Sequence, residues 1–513
     1  MLLSKKILPQ LRERQLSVPT DLQLTLPERV LQFGSGVLLR GLPDYYIDKA
    51  NKQGLFNGRI VMVQSTQQTG TEPFREQEGL YTQCLKGHRD GQLVEEYIVN
   101  GAVSRVLSAR TQWNDVLACA ANPSMQVIIS NTTETGIVLI PDDNIYGRPP
   151  VSFPGKLLAF LYRRFKHFKG DPRKGMVIVP AELITDNGSK LQAVVMELAH
   201  LNNFNYAFID WLETANHFCN SLVDRIVPGR LPGTKHRQTE EKLGYRDDLL
   251  FMSETYGLWA IEARSAAARE ALSFAGADPG VIVTDDISAY RELKLRLLNA
   301  THTFSCGTAF LAGIETVREA MEDPVLGSYI RQLLDGEIVT YFADGDIPVE
   351  TARAFIATVT ERFSNPYLDH SWLQISLHYT HKMRQRNVPL LLDHYRRRQD
   401  VPELMAMGFA AYLLFMKCSP GESGRYYGEV EGQVYLVQDD HTAWFHELWQ
   451  SDSLNSIVAT VTGDEKLWGA NLKALPGFAA AVTVYLESFL QKGIKTTIRN
   501  FQQNRNKAAN HEA

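Results

Sequence analysis

The sequence predicts an α/β chain in two parts, a Rossmann-like N-terminal domain over residues 1–288 and a mainly α-helical C-terminal domain over 289–513. Three observations predict it. A short apolar run near the N-terminus leads into Gly-Ser-Gly and then a helical pattern, the opening of a strand–turn–helix unit. Further short apolar runs follow at 59–64, 125–130 and 176–180, the lengths expected of strands buried in a parallel sheet. From 291 onward the apolar spacing changes to every third or fourth residue.

The first unit reads ERVLQFGSGVLLRG at 28–41. Val30 to Phe33 form the strand, Gly34-Ser35-Gly36 allow a tight turn, and the N–H groups opening the next helix suit an anionic diphosphate. Phe33, Gly34, Ser35, Gly36, Val37, Leu38, Leu39 and Arg40 are therefore candidate cofactor contacts, although the usual third glycine is replaced by Leu39. RIVMVQ at 59–64 is a second strand. MQVIISNTTETGI at 125–137 is a later one, whose polar end, with Asn131 and Thr132, faces a cleft at the carboxyl ends of the strands. No Asp or Glu closes the RIVMVQST strand, so no residue there distinguishes NAD from NADP.

MVIVPAELITDNG at 176–188 is a strand and a polar turn, with Asn187-Gly188 a good turn dipeptide. In FCNSLVDRIVPG at 218–229, Asp224 and Arg225 could form a buried ion pair. The helical part contains TAFLAGIETVREAME, VLGSYIRQLLDGEI, ETARAFIATVTERF, MAMGFAAYLLFMK and GFAAAVTVYLESFLQKGI, each bounded by Pro, Gly or Asp. A boundary at 285–290 places the residues just after it at an interdomain cleft, where ligand sites tend to form.

Those residues are KLRLLNATH, with Lys294, Asn299 and His302 at i, i+5 and i+8. On an α-helix Asn299 lies roughly 140° around from Lys294 and His302 roughly 80°, so one side can present all three. A lysine in apolar surroundings has its pKa lowered and can exchange a proton with a hydroxyl or carbonyl oxygen. Asn299 offers an amide N–H to an oxygen gaining charge, and a neutral His302 can bond a hydroxyl. The same spacing also occurs on ordinary surface helices. Downstream, His378 and His381, with His370, make a metal site conceivable, but no carboxylate stands at a convincing ligand spacing. Lys382 and Arg384 suit substrate oxygens or a carboxylate.

Lys-x4-Asn-x2-His resembles the signature of the mannitol dehydrogenase family of polyol-specific long-chain dehydrogenases, and FGxGxxxR at Phe33–Arg40 resembles its cofactor loop. SNTTETGI, the E-L-I-x-x-N-G turn, LVDRIV and RFSNPY extend the likeness over about 28–390 and resemble the branch acting on keto sugar acids. The resemblance implies metal-independent hydride transfer between NAD and a small-molecule sugar-acid substrate. It makes Lys294 the general acid/base, Asn299 and Asn187 the amides at the reacting oxygen, and His302, Lys382 and Asp224 substrate contacts. Sister activities on fructuronate or mannitol, or a catalytically silent dinucleotide-binding sensor, stay open here, as does the oligomeric state in a family that includes monomers.

With 44% hydrophobic and 22% charged residues the chain is that of a globular protein, and a net charge of -5 gives no reason to expect nucleic-acid or membrane partners. The N-terminus lacks an apolar signal segment and no run of 18 apolar residues occurs, so a cytoplasmic location is expected. Five cysteines without CxxC spacing indicate neither a disulfide framework nor a zinc knuckle.

Overall fold

The computed structural model describes the chain except Gln15, residues 66–69, 133–135, 451, 452 and 513, and the side chains of 506 and 508–512. The Thr133-Glu134-Thr135 part of SNTTETGI lies outside the described residues. The chain divides into two compact units, Met1–Ser288 and Ala289–Ala513.

The first unit is built on a six-stranded parallel sheet: β1 (Glu28–Phe33), β2 (Arg59–Gln64), β3 (Val103–Ser108), β4 (Val127–Ser130), β5 (Val177–Pro180) and β6 (His217–Phe218). Their order is β3-β2-β1-β4-β5-β6, the doubly wound arrangement whose direction reverses between β1 and β4. The apolar runs are continuous because both faces are covered. Val30, Ile60, Met62, Val127 and Ile129 enter one core, whereas Leu31, Val61, Val63 and Ile128 enter the other. Two smaller sheets complete the unit. Phe251–Ser253, Tyr81–Arg89 and Gln92–Asn100 form one, and Val281–Thr284, Leu258–Glu262 and Ser221–Asp224 the other.

The second unit is mainly helical. Helix Glu403–Phe415 is apolar on all sides, as a central helix must be, and it packs against Ala300–Phe310 and Phe478–Lys492. TAFLAGIETVREAME is not one helix: the first segment stops at Phe310, and a second starts at Val317 under a capping box made by Thr316 and Glu319. A small antiparallel sheet, Ser419–Pro420, Tyr426–Val430 and Gln433–Val437, interrupts the helical pattern. Among the described residues no helix is long and apolar enough to cross a membrane.

Candidate active site

The helix beginning at Ser288–Leu293 widens into a π-helical turn at Lys294–Asn299 before continuing as Ala300–Phe310. The Ala300 N–H reaches back five residues to the Leu295 carbonyl. Lys294 and Asn299 are themselves five apart, so one turn of i→i+5 bonding brings them to the same side of the helix. Regular α geometry would leave them roughly 140° apart. The α-helical phase assumed from the sequence is therefore replaced by a tighter grouping.

Tertiary bonds hold the widened turn. Asn387 Nδ2 donates to the Ala300 carbonyl at 3.0 Å. Arg296 pairs with Glu292 at 3.0 Å and donates to the Gln385 and Arg386 carbonyls at 3.1 and 3.0 Å. Those acceptors lie in a second π-helical turn, Met383–Asn387, so the two irregular turns are fastened to each other.

His302 is buried on this helix, its ring stacked on Phe363 with centroids 4.3 Å apart and edge-on to His370 at 5.2 Å. Its Nε2 has no hydrogen-bond partner among the described residues. Burial first, then the charges of His370, Arg386, Arg362 and Lys382, hold its pKa well below the usual imidazole range, so the ring is neutral. His370 is pushed down to about 4, by burial first and then by Arg362 and Lys382. Lys382 Nζ donates to the Ile375 carbonyl at 2.9 Å.

Arg384 is exposed and lines a cavity of 420 Å³ together with His378, His381, Asp439 and Trp444. His378 and His381 thus stand apart from His370, and among the described residues no three His, Cys, Asp or Glu side chains could hold a metal ion. Sequence reasoning missed Arg362 and Arg386 and read His370 only as a metal ligand. The signal available for Arg386 was its i+4 spacing from Lys382, which sets both on one helix side.

In the first unit the chain leaves β1 through Gly34, whose φ of +128° only glycine adopts readily. A Cβ there would lie 2.8 Å from Leu39 Cδ1 and 3.1 Å from the Asn131 carbonyl oxygen. Leu39 is fully buried and fills the space under the turn, which explains a leucine where a third glycine is usual. A Cβ on Gly36 would meet nothing within 4 Å, so the backbone is open to a ligand there. The first N–H groups of the following helix, Val37–Gly41, have no helical acceptor.

Phe33 and Arg40 depart from the expected cofactor loop. Phe33 is buried against Phe153. The Arg40 guanidinium turns inward, 4.8 Å from the Phe251 ring centroid, and donates to the Leu249 carbonyl at 2.9 Å. Its side chain therefore braces the fold and does not present its charge at the turn. Asn131 and Thr132 do lie at the strand ends beside β1 and β4. Asn131 Nδ2 donates to the Ala181 carbonyl, and Thr132 donates through N and Oγ1 to buried Glu182.

Asn187 is completely buried, and its two amide protons serve three carbonyls, of Pro180, Glu182 and Ser221, at 3.0, 3.0 and 3.1 Å. Its Oδ1 accepts from the N–H groups of Gly188 and Ser221. A substrate oxygen could take one of these protons only by displacing a carbonyl. Asp224 ends the strand Ser221–Asp224 and is buried. The neighbouring Arg225 guanidinium donates to the carbonyls of Gly41, Thr255 and Tyr256.

Two family models match the chain: the mannitol dehydrogenase Rossmann domain over 28–273 and the mannitol dehydrogenase C-terminal domain over 286–490. The chain belongs to the mannitol dehydrogenase family. As a member it is an oxidoreductase, and its N-terminal unit is a dinucleotide-binding domain. The chain is 37% identical to an altronate oxidoreductase of Bacillus subtilis, covering 93% of this chain and 95% of the relative. It is 37% identical to that of Halalkalibacterium halodurans, covering 92% and 93%. Among solved structures, it superposes on Pseudomonas fluorescens mannitol 2-dehydrogenase, a ternary complex with NAD and D-mannitol, with a TM-score of 0.70 at 22% identity, covering 98% of this chain and 100% of that one. A D-sorbitol dehydrogenase gives 0.77 at 20% identity, covering 97% and 100%. At these identities the two structures establish the fold of the family and no more.

Proposed function

We propose that this member of the family interconverts D-tagaturonate and D-altronate with NAD, by a metal-independent mechanism using Lys294 as the acid/base. The observation that carries the reaction type is the π-helical turn, which groups a lysine and an amide one turn apart and next to an imidazole in need of a partner. The altronate oxidoreductases, similar over more than nine-tenths of the chain, support the substrate.

NAD, when bound, supplies the hydride chemistry at the substrate carbon. The open backbone at Gly36 and the unpaired N–H groups after it would hold the diphosphate, with Gly34, Ser35, Val37 and Leu38 around it and Asn131 and Thr132 at the strand ends. In altronate oxidation Lys294 removes the hydroxyl proton, and in the reverse direction it returns a proton to the ketone oxygen. The Asn299 amide donates to that oxygen as charge develops on it. His302, held neutral, bonds a neighbouring hydroxyl through Nε2, and Lys382 and Asp224 contact other substrate oxygens. Asn187 holds the 180–188 turn in shape as a positioning residue.

The test is NADH oxidation with tagaturonate, fructuronate and fructose in parallel, without added metal, for the wild type and Lys294→Ala. Preference for tagaturonate with a loss of at least about 10² in turnover in the variant is expected, since positioned acid catalysis contributes about 10²–10⁴. Near-normal turnover of the variant would reject the lysine. Silence on all three substrates with NADH still bound would point to a dinucleotide sensor.

A further inference from the structure

Arg386 stands out in the second unit because no described residue neutralises it. It is half-buried, and its recorded hydrogen bond goes from Nη1 to the uncharged Thr303 hydroxyl at 3.3 Å. Among the described residues no carboxylate pairs with it. Other arginines of the unit do have such partners: Arg296 pairs with Glu292, and Arg397 with Asp344 and Asp393. A guanidinium is not deprotonated in proteins, so partial burial without an anion leaves a desolvation cost that a ligand anion can offset. Burial alone accounts for its pKa being lowered to about 10.

The position of this charge is built in. The Arg386 carbonyl accepts from Arg296, and the next residue, Asn387, is bonded to the Ala300 carbonyl. Thr303, the hydroxyl that Arg386 touches, is adjacent to His302 and donates in turn to the Asn299 carbonyl at 2.9 Å. The guanidinium is thereby set at Thr303 and near His302, on the side of the second π-helical turn that Arg384 does not share.

We infer that Arg386 is the carboxylate-recognising residue of the site, its planar guanidinium taking the carboxylate of a sugar acid and so selecting acids over neutral polyols of the same length. This rests on the reading of the Lys294 turn as the site of oxidoreduction. A fork of N–H donors matches a carboxylate geometrically, and a neutral CH₂OH group gains little from it.

The experiment compares kcat/KM for NAD-dependent oxidation of altronate and of altritol, which has CH₂OH in place of the carboxylate, in the wild type, Arg386→Met and Arg386→Lys. Arg386→Met should lose on the order of 10²-fold or more on altronate, mostly through KM, with altritol little changed. Arg386→Lys should recover part of the loss, because it restores the charge without the fork. An altronate-induced rise in Tm, present in the wild type and absent in Arg386→Met, keeps the test decisive if turnover is low. Equal losses on both substrates, an unchanged kcat/KM for altronate, or a wild type that prefers altritol would overturn the inference. A wild type that prefers mannonate to altronate, with Arg386→Met losing mannonate but not mannitol activity, would remove altronate as the substrate and uphold Arg386.

Discussion

Replacing Asn187 by alanine separates a residue that holds a turn from one that serves a substrate. The amide makes five recorded hydrogen bonds, three to the carbonyls of Pro180, Glu182 and Ser221 and two from the N–H groups of Gly188 and Ser221. Some of the loss is shared, since the Pro180 carbonyl also accepts from the Ser221 hydroxyl. Among the described residues the two N–H groups have no such substitute, and a buried donor left unpaired costs about 1–3 kcal/mol. The variant should therefore lose about 3–5 kcal/mol, toward the upper end of single-site effects. Urea unfolding followed by tryptophan fluorescence measures it, with NAD binding as a second readout because the turn lies beside the strand ends. A loss of stability below about 1 kcal/mol together with a fall of 10²-fold or more in kcat would refute the reasoning. The amide would then be acting on the substrate, and its bonds to the carbonyls would be exchangeable.

Two further outcomes are expected. Gly34→Ala should weaken NAD binding measured by fluorescence titration and lower Tm, because an alanine there combines a φ of +128° with a 2.8 Å approach to Leu39; unchanged binding would remove the turn from the cofactor site. Stability should fall as pH drops below about 6.5, because the unfolded chain protonates His302 and His370 while the native rings resist. The part due to His370 amounts to about 3 kcal/mol, is mostly lost by about pH 4, and should disappear from the pH profile of calorimetric Tm in His370→Gln.

The parallel sheet is legible in the sequence because a strand covered on both faces has no polar alternation to confuse, as RIVMVQ shows with all six residues buried. The Gly34-Ser35-Gly36 turn is legible because the backbone itself demands glycine at Gly34. The π-helical turn at Lys294 is not, since no local propensity marks it: Asn387 and Arg296 hold it through partners some ninety residues away. Arg40 misleads for a related reason. Its place in the motif fits a cofactor contact, but the rings of Phe74, Tyr81 and Phe251 that enclose it come from distant segments. Arg384 and Arg386 are equally basic in the sequence, and only the helix phase tells them apart.

The widened turns make chain length a variable of the site. A π-helical turn is an α-helix carrying one residue more than regular winding accommodates. Deleting one residue between Lys294 and Asn299 would let the helix rewind as a regular α-helix with the two residues four apart, about 40° from each other and still on one side. A residue deleted instead from the regular helix between Asn299 and His302 meets no widened turn to absorb it, and would swing His302 about 100° away from Lys294 with no side chain altered. Two related chains with identical site residues can therefore keep them in phase across a one-residue gap inside the Lys294–Asn299 turn, whereas the same gap in the regular helix beyond it marks a change of geometry.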